Sequence, residues 1–402
     1  MNTANTLISG LLISVSIFFS ASPTSAQTEN VLTQSDNAFA FDLFGKIASS
    51  QPGKNIFISP ISVSGALQMV INGATGDTRA ELARALHVGE LDAATVNAAG
   101  KNLQESLNAE TNAVLNLANG IWYQKGFSLK PEFVATDKTF FGAGLEPVDF
   151  QSPASAQVIN AWADEKTHGK VKDVVSFPFP PQTKVVLANA IYFKGKWAEP
   201  FDKGRTEKGV FHPGSGAARD VMMMSQQREF DYLETDQFQA VRLPYAGGRL
   251  NMCLFLPATN SGPAPLAAGF AGSGWQDTAS KFRERRGLLE FPRFKMDYEV
   301  TLNEPLQALG IKRAFDPGAA NFSAMAAEPL FIGLAKQKSF VAVDEEGTEA
   351  AAVTTISMRA SGIPMHQPPP FRMIVDRPFF FVITDTKTQA ILFMGIISDP
   401  AS

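Results

Sequence analysis

From Phe340 to Pro370 the chain spells out a β-strand with a hinge on either side and no obvious neighbour. Phe340-Val341-Ala342-Val343 is apolar and β-branched, as a strand should be. Asp344-Glu345-Glu346 then turns acidic, and Gly347 supplies a flexible joint. Beyond it side chains alternate. Thr348, Ala350, Ala352, Thr354, Ile356 and Met358 fall on one face of an extended chain, and Glu349, Ala351, Val353, Thr355, Ser357 and Arg359 on the other. The first face is small at its start, then apolar, and uncharged; the second carries both charges. That is a strand with one buried and one solvated side. Yet Gly347 at one end, and Pro364, Pro368, Pro369 and Pro370 at the other, mark a mobile excursion. Both properties are met by a fold whose sheet can admit the segment later. The small residues Thr348 and Ala350 matter for that, because an entering strand must pass between side chains already in place. The plainer reading of the same residues is an Ala-rich surface turn or short helix.

The rest of the chain supplies such a sheet. Up to about Phe150 the pattern is helical. Ser35-Asp36-Asn37 reads as the cap of a helix carrying Phe39, Leu43 and Ile47, and Ser62 as the cap of another carrying Leu67, Val70 and Ile71. Thr78 to Leu86 opens on a capping-box pattern. Val114 to Tyr123 reads as a strand, and Val158 to Thr167 as a helix stopped by Gly169. From Lys184 onward strands dominate: Val185 to Phe193, Ala240 to Pro244, Leu250 to Leu256, Leu288 to Phe291, Phe340 to Val343, Phe379 to Ile383 and Ile391 to Ile397, with one helix at Leu302 to Leu309. Helices first and strands later predict an α+β fold with large sheets. No repeat or linker divides the chain, and Ser261 to Ser273 reads as a surface loop, so residues 27–402 are expected to form one domain.

Several function classes lose support. Net charge is -4, and the one dense basic run, Lys281, Arg283, Arg285 and Arg286, reads as a solvated helix end, so no nucleic-acid partner is expected. The four histidines, His87, His168, His212 and His366, form no metal-ligand spacing, and no nucleophile elbow or phosphate-binding loop occurs. No metal, cofactor or enzymatic activity is expected. Cys253, the only cysteine, sits in an apolar run and predicts a buried, inert thiol, so the fold must hold by packing. Leu7 to Phe19 is apolar but short for a membrane span, and small residues follow it. Residues 1–26 therefore read as a signal peptide cleaved after Ala26, although no Lys or Arg precedes the apolar run. A secreted protein, extracellular or periplasmic, is the expectation.

Six stretches in order resemble the serpins, the serine protease inhibitor family. They are Asn55 to Ser62 continuing to Thr78; Ile159-Asn160-Ala161-Trp162 with Thr167-His168-Gly169-Lys170; Leu187 to Trp197; Val343 to Ala352; Asp376 to Phe381; and Phe393-Met394-Gly395. The resemblance implies an α+β serpin fold with three β-sheets, eight or nine helices and an exposed reactive-centre loop at about residues 344–370. It implies a suicide-type inhibitor: a protease cuts the loop, the acyl-enzyme forms on the protease's own serine, and residues 347–360 insert into the main sheet. The hinge would be Glu346, Gly347, Thr348, Glu349, Ala350, Ala351 and Ala352. In the family the cleaved carbonyl lies about fourteen residues after the hinge glycine, which gives Ser361-Gly362, with Arg359-Ala360 as the rival. A small residue at the cut suits elastase-like or subtilisin-like proteases, and Arg359 would suit trypsin-like ones. Cysteine proteases are further candidate targets, and a monomer that contacts no membrane is implied.

Ser59, Ser62 and Asn189 match positions beneath the main sheet where strands must part, and Trp197 an aromatic where the loop enters. Gln337 stands where many relatives carry a His that bonds under the sheet, which puts pH dependence from that site in doubt. The stretch from Gly362 to Phe371 is longer than in common relatives, and no Arg follows Gly395. No basic cluster marks Leu82 to Leu107, so no polyanion cofactor is implied. The alternative is a non-inhibitory serpin acting as a carrier or chaperone-like binding protein, whose hinge usually carries bulky, charged or Pro residues.

Overall fold

The computed structural model describes residues 25–89, 91–110, 112–142, 144–348 and 369–401. The chain opens with α1 (Ser25–Ser50), β1 (Ile56–Ile58), α2 (Pro60–Gly73), α3 (Gly76–Ala85) and α4 (Ala93–Asn108). Next come β2 (Ala113–Gln124), α5 (Pro131–Phe141), β3 (Gly144–Val148) and α6 (Pro153–Lys166). Strands then take over with β4 (Val185–Lys196), β5 (Glu207–Phe211), β6 (Arg219–Glu234), β7 (Phe238–Pro244) and β8 (Leu250–Pro257). Two short helices, α7 (Pro263–Ala268) and α8 (Gly274–Ala279), lead to β9 (Arg283–Pro292), β10 (Phe294–Thr301) and α9 (Asn303–Ala308). The last elements are β11 (Ile332–Asp344), β12 (Gly347–Thr348), β13 (Phe371–Ile374), β14 (Phe379–Asp385) and β15 (Ile391–Ile397).

Helix ends follow local chemistry. Ser152 caps α6 by accepting from the Ala154 N–H at 3.3 Å, with Pro153 at the first helical position; Asp92 caps α4 through the Thr95 N–H at 2.9 Å. Two expected caps are corrected. Ser35, Asp36 and Asn37 lie inside α1, where their polar groups are buried against other elements: Ser35 donates to the His87 carbonyl, and Asn37 Oδ1 accepts from the Ile391 N–H. Ser62 sits in the first turn of α2, behind Pro60 at its start, and looks into the sheet. Arg283, Arg285 and Arg286 of the basic run lie on β9 and Lys281 in the turn after α8, and the Ser261 to Ser273 loop contains α7.

The main sheet runs β10-β11-β12-β4-β2-β3. The other strands form a nine-stranded network, β1-β15-β14-β8-β7-β6-β9-β13, with β5 on β6. Its long β6 pairs with β9 from Met223 to Tyr232 but with β7 only from Asp231 to Glu234, so two smaller sheets share one strand. Counted so, there are three sheets and, among the described residues, nine α-helices, the fold that the resemblance implied. Strands β8, β14 and β15 are buried at every position and lack the polar alternation of a half-exposed strand, because both faces are covered. A separate apolar cluster, including Trp122, Ile159, Ala163 and Val186, lies between α6 and the main sheet. That helix thus rests on a pad of its own.

Candidate functional site: the parting in the main sheet

The site lies where β11 and β4 separate. The two strands pair side by side, in parallel, from Ile332 opposite Val185 to Phe340 opposite Tyr192. Above that point β12 occupies the gap. Gly347 lies opposite Asp344 on one side and Lys196 on the other; Thr348 lies opposite Val343 and Gly195. Gly347 and Thr348 of the hinge are therefore already a strand, antiparallel to both neighbours. Gly347 is required there, because a Cβ would collide with the Gly195 carbonyl oxygen and the Lys196 Cα.

Thr348 is 0% exposed, and its hydroxyl lies 2.8 Å from that of Tyr245. Tyr245 stacks on Trp197 at 4.6 Å between ring centroids and meets Phe193 edge-on. Burial pushes the Tyr245 phenol far above its usual range, so it remains a neutral hydroxyl. Trp197 pins the turn before the hinge, its indole N–H donating to the Asp344 carbonyl at 3.0 Å and its backbone N–H to that of Glu346 at 2.8 Å. The acidic turn is held from the other side. Glu345 is buried and accepts from Arg293 Nε at 2.6 Å and from the Thr206 hydroxyl. Burial by itself would raise this carboxyl, but the bonds from Arg293 and Thr206 outweigh it and hold it below its ordinary value. Glu346 pairs with Lys203.

Lower in the sheet a polar rung crosses otherwise apolar strands. Asn119 of β2 lies opposite Asn189 of β4, and Asn189 lies opposite Gln337 of β11. All three face the start of α2. The Gln337 side-chain oxygen accepts from the Ser59 N–H at 2.9 Å, while its Nε2 donates to the Ser59 carbonyl at 3.0 Å and to Asn189 Oδ1 at 2.6 Å. Asn189 Nδ2 donates to the Ser62 hydroxyl, and the Asn119 amide lies against Ser62 and Asn189. The Ser59 hydroxyl donates to the Leu392 carbonyl at 2.8 Å. Gln337 thus ties α2 to β11, and Ser62 ties it to β4, across the line where the strands meet.

Of the residues singled out in the sequence, Glu346, Gly347, Thr348 and Trp197 gather at the upper cluster, and Ser59, Ser62, Asn189 and Gln337 at the rung. Glu349, Ala350, Ala351, Ala352, Arg359, Ala360, Ser361 and Gly362 lie outside the described residues. Sequence reasoning missed Tyr245, Arg293, Lys203, Thr206 and Asn119. Only Asn119 left a trace, as a polar residue interrupting the apolar Leu117 to Ile121 strand.

A short strand seated between two parting parallel strands is the arrangement that characterises the class of fold. The comparisons name it. The family described as "Serpin (serine protease inhibitor)" matches residues 34–400, and the chain belongs to the serpin family. It is 36% identical over 389 residues to the leukocyte elastase inhibitor of Bos taurus, covering 92% of this chain and 99% of that one. It is 34% identical to Iripin-2 of Ixodes ricinus, covering 93% and 94%. Among solved structures, human thyroxine-binding globulin complexed with thyroxine matches with a TM-score of 0.84 at 26% identity, covering 93% of this chain and 99% of that one. The thermophilic serpin tengpin in its native state matches equally at 0.84 and 26%, covering 96% and 97%.

These relatives correct one expectation. Secretion does not stand, because the leukocyte elastase inhibitors that the chain resembles along nearly its whole length are intracellular serpins.

Proposed function

We propose that this serpin is a single-use inhibitor of serine proteases rather than an enzyme. The observation that carries the reading is the two-residue strand β12, bonded to β11 and β4 with the gap below it closed only by their direct pairing. The protease serine attacks the Ser361 carbonyl, the Ser361-Gly362 bond breaks, and Gly362 leaves as a free amine while Ser361 stays esterified to the enzyme. Residues 347–360 then continue downward from Thr348 as a new central strand, carrying the enzyme with them. About a dozen inserted residues gain sheet hydrogen bonds at roughly 0.5–1.5 kcal/mol each. Burial of the uncharged face adds to this. The sum can exceed the 5–15 kcal/mol that typically holds a domain together, so the uncut fold persists kinetically.

The relatives named as elastase inhibitors, and the small residue at the proposed cut, favour elastase-like or subtilisin-like targets over trypsin-like ones. A second reading, a ligand-carrying serpin, has one observation behind it. A recess of about 560 Å³ between α1, α8 and β8 is lined by Arg242, Asn251, Trp275 and Thr384, among others, and the solved relatives include thyroxine-binding globulin. Mixing the protein with elastase, subtilisin and trypsin separates the two. The inhibitor reading expects an adduct that survives denaturing electrophoresis, with the cut mapped by mass spectrometry to Ser361-Gly362. Degradation by all three enzymes without an adduct overturns it.

A further inference from the structure

Gln337 cannot titrate in the physiological range, so the polar rung holds no proton switch of its own. A carboxyl lies next to it. Asp36 of α1 is 4% exposed and accepts from the Ser64 hydroxyl and from Gln68 Nε2, both on α2. It lines a small recess of about 60 Å³ together with Ser62, Asn119, Leu117, Gly100 and Phe141. Two of these, Ser62 and Asn119, belong to the rung. Gly65 and Gly100 let the walls close in: a Cβ on Gly65 would come 3.2 Å from the Asn119 side chain, and one on Gly100 2.9 Å from that of Gln68.

Among the described residues no other charged group lines the recess. Helix α2 and strand β2 carry no charged residue. On α4, Lys101 and Glu105 pair with one another at 3.8 Å, and Asn102 donates to Glu29 of α1. On α5, Glu132 and Lys138 are exposed, while the buried Asp137 is held by Asn72 of α2. Asp42, elsewhere on α1, pairs with His87.

The wall formed by Leu117 and Asn119 is the part that must move. Strand β2 is bonded to β4 from Ala113 to Tyr123, so the two shift together when a strand enters between β4 and β11. We propose that Asp36 is the proton-sensitive group of the main sheet: its carboxyl is kept neutral while β2 closes the recess, and releases its proton to water when β2 moves away. Burial raises Asp36 to about 7 against the pull of its two hydrogen bonds, which agrees with a neutral closed state. Alkaline pH then favours opening. The inference rests on strand insertion as the proposed mechanism.

The test uses the full chain and a synthetic peptide of sequence 348–361, whose uptake as an added strand is followed by electrophoretic mobility. Uptake is expected to quicken about tenfold from about pH 6 to about pH 8, the linkage result for a carboxyl near 7 that becomes an exposed one near 4. Asp36→Asn should flatten that slope, and Asp137→Asn should keep it. A slope unchanged in Asp36→Asn, or a flat wild type, overturns the inference. No uptake at any pH overturns the insertion mechanism instead. Should Asp36→Asn not fold, carbon-13 carboxyl spectra of the Asp137→Asn protein decide: a titration near 7 supports the inference, and none above about 5 sinks it.

Discussion

Thr348 shows how much one side chain is asked to do. It must be small enough to enter a sheet, polar enough to use the Tyr245 hydroxyl, and uncharged because it is wholly buried. Thr348→Arg should convert the inhibitor into a plain substrate, seen as cleavage without a stable protease adduct; unchanged trapping contradicts the hinge assignment. Gln337 is a different kind of residue. Three hydrogen bonds run through its amide, and Gln337→Ala takes the Gln337 partner from the buried Ser59 N–H and from Asn189 Oδ1. A loss of roughly 1–3 kcal/mol follows, read as a lower midpoint in urea. Gly347 and Thr348 stood out in the sequence because a glycine followed by small residues is a local signal. Tyr245 did not, because a residue 103 positions away becomes its neighbour only in the fold.

Helices α1, α2 and α5 share a buried polar seam on the scale of whole elements. Ser64, Gln68 and Asn72 recur every fourth residue on one face of α2, and they hold Asp36 from α1 and Asp137 from α5. Burial raises both carboxyls to about 7. A carboxyl raised in the folded state binds its proton more tightly there than in the unfolded chain. Its contribution to stability is therefore full below about pH 4 and is lost as pH climbs through about 7. Glu345 and Asp385 are held low by Arg293 and Arg249, against burial, and act in the opposite sense, losing their contribution as pH falls below about 4. Thermal melting across pH should accordingly show a maximum at mildly acid pH, and Asp36→Asn with Asp137→Asn should flatten its alkaline limb. Element reading from sequence succeeded where apolar runs were strong, as for β2, β8 and β15. It missed β6 and β10, whose alternating polar faces dilute the apolar signal, and it read the charged start of β9 as helix.

For the whole molecule, the proposed mechanism demands a native state that is not the most stable arrangement of its own chain. A sample nicked at the loop should melt well above the intact protein in calorimetry, and equal midpoints would remove the stored energy on which trapping depends. The lone Cys253 offers an independent report. It is 1% exposed, and burial pushes its thiol up, so alkylation of the intact protein should be slow and should track global unfolding.

The α+β class and the family were decided by local pattern and motif, because each depends on residues close together in the chain. The alternation from Thr348 to Arg359 reads as a strand, of which Thr348 alone lies among the described residues. The sequence left open where Gly347 and Thr348 sit, and what lies beneath them. Those answers came from strands 332–344 and 185–196 meeting in parallel, from Gly347 and Thr348 pairing between them, from Asn119, Asn189 and Gln337 falling on one rung, and from Asp36 sharing a recess with Asn119. Register and burial arise between segments far apart in sequence, and no local pattern of residue types encodes them.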